Sequence, residues 1–272
     1  MPGTDAITSL VVNGATIEAI DRGKGRTILF LHPGTGIDPA APVLAELARG
    51  GRLFAPSHPG FGTSQLPRGM TTVDDIAYFY LDMLEQLDLR DLLVVGVGLG
   101  AWIAAEIAVK DQSRFSHLVM ANAIGIKTGD RESRDIADIW ALLFDEYNAL
   151  AYFDPNVGKR DYKTLPAAES LATARNREAY GRFCWSPYMH NPKLKGRLHR
   201  IHVPTLFLWG AADRILSGKY GRAYSALIPG STFEPIERAG HLPHIEQPEE
   251  FARRALAFAE SNTQGAARAK RA

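Results

Sequence analysis

Three features of this 272-residue chain have the residue types for acid–base work on a small molecule. They are an acid, Asp213, a histidine, His241, and a glycine-framed turn, Gly96-Val97-Gly98-Leu99-Gly100. Asp213 stands just after Trp209-Gly210 at the end of a predicted strand, where a carboxylate can orient an imidazole and stabilise its charged form. The competing role for Asp213 is a helix N-cap or a surface acid. His241, in Ala239-Gly240-His241-Leu242-Pro243, follows the last predicted strand and is the candidate general base. A hydrogen-bonded loop histidine is the competing role, and His244 is the local competitor. The glycine turn has the frame of a G-x-S-x-G nucleophile elbow, in which flanking glycines let a strained turn pack closely while a central serine projects into the site. Here the centre is Gly98, so the nucleophile position has no side chain.

The elements that must position these residues follow from the hydrophobic pattern. Leu92-Leu93-Val94-Val95 before the turn reads as a buried strand, and Ala101 to Ala108 after it as a helix. Upstream, residues 7–12 and 15–20 flank Asn13-Gly14, a hairpin pair. Thr27 to Leu31 and Arg52 to Pro56 are further strands, followed by the turn His32-Pro33-Gly34-Thr35-Gly36 and the loop Ser57 to Ser64. Helices are predicted at about 40–49 and 72–88, the latter capped at Thr71/Thr72 with Asp74 and Asp75 in its first turn. Phe115 to Ala121 is another strand. The alternation predicts an α/β fold with a mainly parallel, doubly wound sheet. From 127 to 200 no buried strand is evident and the segment is assigned to a helical cap. Within it Ile136, Ile139, Trp140, Leu143, Phe144 and Tyr147 have helical spacing. Strands resume at Thr205 to Trp209 and Ser231 to Ile236, with a helix near 215–228 between them and a last helix from about 247. The expected layout is a core of 1–126 and 201–262, a cap of 127–200, and a frayed tail of 263–272.

Composition narrows the function. Lys and Arg total 31 against 30 Asp and Glu, so nothing draws the chain generally toward nucleic acid or an anionic membrane. No signal-like or membrane-spanning run is present, and a cytoplasmic protein acting on a small molecule, as monomer or homodimer, is expected. The single cysteine, Cys184, rules out an internal disulfide and a Cys-rich metal site, so no metal is expected. Gly96 to Ala101 partly matches a dinucleotide fingerprint, but no acid follows about 20 residues on. No cofactor is expected.

Several local motifs together resemble the α/β-hydrolase superfamily: His32-Pro33-Gly34, His58 to Ser64, the elbow frame, Trp209-Gly210 with Asp213, and Gly240-His241. The resemblance spans roughly residues 7–260 and is closest to the capped branch holding esterases and carbon–carbon bond hydrolases of ring-fission products. It implies an α/β-hydrolase fold with the cap inserted after the strand that follows the elbow helix. It also implies chain order nucleophile, acid, histidine, with Asp213 and His241 filling the last two places, and an oxyanion hole. Pro33 has no N–H, so the implied donors are Gly34 and Leu99. His32 and His58 are expected to line the pocket or serve the scaffold rather than react. Trp140, Trp185 and Tyr188 are candidate pocket residues from the cap, and Arg175, Arg177 and Arg182 could meet a substrate carboxylate. Two departures from ring-fission hydrolases stand out. Val97 replaces the asparagine often found before the nucleophile, and no Trp-containing segment follows His241.

Three readings of Gly98 remain. His241 and Asp213 act as a general-base dyad without an acyl-serine, in a hydrolase or lyase of a small carbonyl compound. Alternatively the protein is a non-catalytic binding protein (a pseudoenzyme), similar to the N-myc downstream-regulated family, whose elbow also centres on glycine but which lacks the histidine. Or it is a serine hydrolase whose nucleophile has been exchanged for glycine.

Overall fold

The fold is taken from a computed structural model that describes residues 6–130, 132–161 and 163–269, with side chains from 262 onward left out. Eight strands form one sheet in the order β1-β2-β4-β3-β5-β6-β7-β8. Strand β1 (Ala6–Val12) pairs antiparallel with β2 (Ala15–Arg22), and β2 antiparallel with β4 (Arg52–Pro56). All other pairings are parallel, through β3 (Thr27–Leu31), β5 (Leu92–Val97), β6 (Phe115–Ala121), β7 (Thr205–Gly210) and β8 (Thr232–Ile236). Asn13 and Gly14 both take positive φ, 50° and 80°, as a primed two-residue hairpin turn requires.

The central strands are apolar throughout because helices cover both faces. Along β5, Leu92 and Val94 pack into one core with helices α2 (Val73–Gln86) and α3 (Leu99–Lys110). The alternate residues Leu93, Val95 and Val97 pack into a second core with α1 (Pro42–Ala48) and the long C-terminal helix, Pro248–Ala269. Each such side chain contributes roughly 1.5–3 kcal/mol on burial, and this is what holds the elbow between β5 and α3 in place. Helix α2 starts at a reciprocal capping box, Thr72 with Asp75.

Between β6 and β7 the chain builds a helical insertion: α4 (Phe144–Ala151), α5 (Ala167–Cys184) and two 3₁₀ turns, Pro155–Gly158 and Lys195–Arg200. The helix expected from the spacing of Ile136 to Tyr147 begins only at Phe144. Asp138 competes for the backbone ahead of it, its side chain accepting from Trp140 N–H and its carbonyl from Ala141 N–H, the local turn by which aspartate stops a helix. After β7 come α6 (Gly218–Ser225), the short α7 (Pro243–Glu246) and α8, the C-terminal helix. Helix α8 runs to Ala269, and residues 270–272 of the expected tail lie outside the described residues. Among the described residues no helix is long and apolar enough to cross a membrane.

Candidate active site

The three glycines of the turn do different jobs. A Cβ on Gly96 would stand 2.6 Å from Gly100 O and Ala101 N, and one on Gly100 would collide with the Leu31 carbonyl. Both glycines are therefore required by the approach of backbone to backbone. At Gly98 a Cβ would meet only Pro33 Cβ at 3.7 Å and His241 Nε2 at 3.9 Å, ordinary contacts. The backbone there is at φ 54°, ψ −110°, a strained region for any side-chain-bearing residue. The turn thus keeps the geometry of an elbow and has room for a side chain pointing at the histidine.

That histidine is tied to the acid. His241 Nδ1 lies 2.9 Å from Asp213 Oδ2, and both side chains are buried. The carboxylate accepts, so the proton sits on Nδ1 and the Nε2 lone pair faces Gly98. Asp213 is fully satisfied. Its Oδ1 accepts from the N–H groups of Ile215 (2.8 Å) and Leu216 (2.9 Å), and its Oδ2 also from Asn122 Nδ2 at 2.6 Å. Asn122, just past β6 at φ 42°, also accepts from Gly210 N–H through its Oδ1. It thereby locks the ends of β6 and β7 to the acid. The histidine loop is held separately, by His241 N–H on Ala151 O (2.6 Å) and Gly240 N–H on Glu246 Oε2 (2.7 Å). Glu246 Oε1 accepts in turn from Phe153 and Asp154 N–H, joining the insertion to the His241 loop. Neither Asn122 nor Glu246 carries a signal in the sequence.

His244 is no competitor. It packs near Phe30 and Phe251, and burial, with His241 nearby, pushes its pKa down to about 3. Leu99 opens α3, whose first N–H groups have no acceptor within the helix. Gly34 lies on the turn after β3, next to Pro33, whose Cβ is 3.7 Å from where a Cβ on Gly98 would stand. Over Gly34 sits the ring of Tyr180, about 2.5 Å from where a Cβ would be. Beside it Asn176, one turn earlier on α5, donates to Thr35 O (3.0 Å) and accepts from Gly62 N–H (2.8 Å). Helix α5 is thereby bolted to both loops that the sequence singled out.

His32 and His58, expected to line the pocket or serve the scaffold, are scaffold. Both are completely buried and their rings stack at 3.7 Å. His32 Nδ1–H donates to Pro33 O (2.7 Å), and its Nε2 accepts from His58 N–H (2.9 Å). His58 Nε2–H donates to His32 O (2.9 Å), and its Nδ1 accepts from Tyr80 OH (2.6 Å). With all four ring nitrogens engaged, no position is left for a ligand. Burial lowers the His32 pKa to about 4 and that of His58 well below its usual value.

The cap candidates separate. Trp140 packs on Tyr180 (centroids 5.5 Å apart) and receives Arg177 over its ring at 5.0 Å. It backs the residue that covers Gly34 rather than covering it. Trp185, 60% exposed, and Tyr188 line a cavity of about 500 Å³ whose wall includes neither Gly98 nor His241. The Tyr188 hydroxyl is used inside the insertion, donating to Ala137 O and accepting from Ile139 N–H. Arg175 reaches toward Gly62 O and Arg182 pairs with Glu178, so neither is directed at the dyad. Cys184 is fully buried and its thiol pKa is raised by burial. Among the described residues no cluster of three or more His, Cys, Asp or Glu could hold a metal ion.

A mostly parallel eight-stranded sheet, an elbow at the end of its fifth strand and a His–Asp pair on the loops after its last two strands define a hydrolase-type α/β protein. The chain belongs to the alpha/beta hydrolase family, whose profile matches residues 28–254. It is 27% identical over 276 residues to a putative 2-succinyl-6-hydroxy-2,4-cyclohexadiene-1-carboxylate synthase of Bacillus subtilis, covering 92% of this chain and 96% of that one. It is 26% identical over 219 residues to 3-oxoadipate enol-lactonase 1 of Acinetobacter baylyi, covering 77% and 79%. In structure it is similar to a meta-cleavage product hydrolase from Pseudomonas fluorescens, with TM-score 0.75, 18% identity and coverage of 94% and 98%. An esterase from Exiguobacterium antarcticum gives TM-score 0.71, 19% identity and coverage of 94% and 100%. These structural likenesses carry the fold alone.

Proposed function

We propose that the protein is a hydrolase or lyase of a small carbonyl compound that works by general-base catalysis without an elbow nucleophile. His241 is the base and Asp213 its orienting partner. The N–H groups of Gly34 and Leu99 are the oxyanion donors, and segment 127–200 is the cap over the site. The observation that carries the reading is the lone pair of His241 Nε2 aimed, at 3.9 Å, at the place where a Cβ on Gly98 would stand.

For an ester or lactone, Nε2 takes a proton from a water attacking the carbonyl carbon, and the carbonyl oxygen gathers charge against the two backbone donors. The tetrahedral species then collapses, the carbon–oxygen bond to the leaving alcohol breaks, and His241 returns its proton to that alkoxide. An ester gives one acid and one alcohol, a lactone a single hydroxy acid, and the dyad is restored. The same base can remove an acidic proton beside a carbonyl, the enolate being held by the same donors. The names of the lactonase and synthase relatives support these two carbonyl chemistries as the first to try.

Two other readings have observations of their own. The Tyr180 ring against Gly34 favours a binding protein whose oxyanion turn is covered. The room for a Cβ at Gly98, refused at Gly96 and Gly100, favours a serine hydrolase whose nucleophile has been exchanged.

Turnover of esters, lactones and 1,3-diketones by the protein, by His241→Ala and by Gly98→Ser separates the three. Activity that His241→Ala abolishes upholds the serine-free base. Activity only in Gly98→Ser, larger by about 10³ or more, replaces it with the serine-hydrolase reading. Inactivity of both forms on all three substrate types replaces it with the binding reading.

A further inference from the structure

A cavity of about 600 Å³, the size of a small-molecule site, opens between the start of α2, the outer face of α3 and the end of the insertion, and its wall includes neither Gly98 nor His241. Its charge is one-sided. Lys193, Arg197 and Arg200 all line it and all are exposed. None has a carboxylate partner among the described residues, and the three share one wall of the cavity. The two acids nearby are already used. Lys110 lies 2.8 Å from Asp74 and 3.1 Å from Glu106; that trio carries one net negative charge against the three positive charges of the others, so the cavity's balance stays positive.

The floor of the cavity is built and rigid. Glu106 is completely buried, and its carboxylate accepts from Trp102 Nε1 (3.1 Å), Asn191 Nδ2 (2.8 Å) and Lys110 Nζ (3.1 Å). These bonds fix the indole of Trp102, which with Phe183 gives the cavity a flat apolar surface. His190 stands on the wall with Nδ1–H donating to Tyr188 O (2.9 Å), which leaves Nε2 for a ligand.

We infer that this cavity is a binding site for a small organic anion that has a planar body and a phosphate or carboxylate head. The body lies along Trp102 and Phe183, and the head meets Lys193, Arg197 and Arg200. Guanidinium forks suit such heads because they offer paired donors in one plane. The inference does not depend on the activity proposed above, since none of Gly34, Gly98, Leu99, Asp213 and His241 lines this cavity. Trp102 is one helical turn beyond the elbow and donates its backbone N–H to Gly98 O (3.2 Å), so the two sites share α3.

Calorimetric titration with 1-naphthyl phosphate, naphthalene-2,6-dicarboxylate and neutral 1-naphthol tests it. One or both anions should bind, more weakly as salt rises from about 20 to about 200 mM, while naphthol binds at least about tenfold more weakly. The phosphate-to-dicarboxylate ratio identifies the head. The combined variant Lys193→Gln, Arg197→Gln, Arg200→Gln should lose at least about tenfold in anion affinity. All three residues are exposed, so the fold tolerates the change, and the melting temperature checks this. His241→Ala should leave anion affinity unaltered, which keeps this outcome apart from the fate of the dyad. No anion binding at about 10 mM, equal binding of naphthol, or unaltered affinity in the triple variant would overturn the inference.

Discussion

Two histidine sites stand at the carboxyl edge of the same sheet and use the imidazole in opposite ways. After β3 and β4, His32 and His58 stack on one another with every ring nitrogen bonded to protein. After β7 and β8, His241 is bonded among the described residues through Nδ1 only, to Asp213, and presents Nε2 to Gly98. Burial alone does not separate them, since all three are below one tenth exposed. What separates them is whether a ring nitrogen is left over and what it faces. A fully engaged pair welds two loops, and a half-engaged ring can move a proton.

The sharpest way to break this contrast is to truncate both kinds. His241→Ala is expected to lower turnover by about 10³- to 10⁴-fold while changing stability by about 1 kcal/mol; initial rates and urea denaturation of the same sample decide it. A large loss of stability with turnover per folded molecule intact would erase the distinction. His58→Ala is expected to do the reverse. It leaves Tyr80 OH and His32 O without partners in a dry core and opens a cavity, which costs about 3–5 kcal/mol. Rates corrected for the folded fraction should stay within about threefold of the parent.

The pH dependence of stability sharpens the same contrast. In His32, His58 and His244 the folded pKa lies below the unfolded value of about 6.5. Their neutral forms are therefore favoured by folding, and this stability is fully present above pH 6.5. As pH falls, the unfolded chain gains protons that the folded one refuses, and each histidine costs about 1.4 kcal/mol per pH unit. For His32 the loss runs on to about pH 4 and for His244 to about pH 3. Urea midpoints at pH 7, 6 and 5 measure the total slope, and His244→Phe should remove about one histidine's share. The smallest effect is expected at the positioning residue. Asn122→Ala takes one of four hydrogen bonds from Asp213 and should lower kcat about tenfold with KM little changed. A change in KM alone would place Asn122 outside the dyad's support.

Much of this architecture was legible in the chain because its signals are local. The all-apolar runs at 28–31, 92–95 and 206–209 had to be strands covered on both faces, Asn13-Gly14 had to turn, and Thr72 with Asp75 had to start a helix. Asp213 and His241 were legible as a pair because each follows a late strand. The insertion was not legible to the same degree. The apolar spacing from Ile136 to Tyr147 suited a helix, yet the Asp138 turn delayed it to Phe144, a competition between backbone partners that periodicity does not register. Nor does anything in the sequence around Asn176 and Tyr180 tell which loops α5 will dock on.

By itself the sequence determined the family's sheet, the order of elbow, acid and histidine along it, and the absence of a side chain at position 98, because these follow from residue type, periodicity and chain order. Only the tertiary structure decided which histidines were spent on the scaffold, that Gly98 alone of its three glycines has room for a Cβ, that Asn122 and Glu246 brace the His241–Asp213 pair, and that three cations without a carboxylate partner among the described residues line one cavity. Each of those depends on distances between residues far apart in the chain, and such distances are set by how the helices pack across the finished sheet.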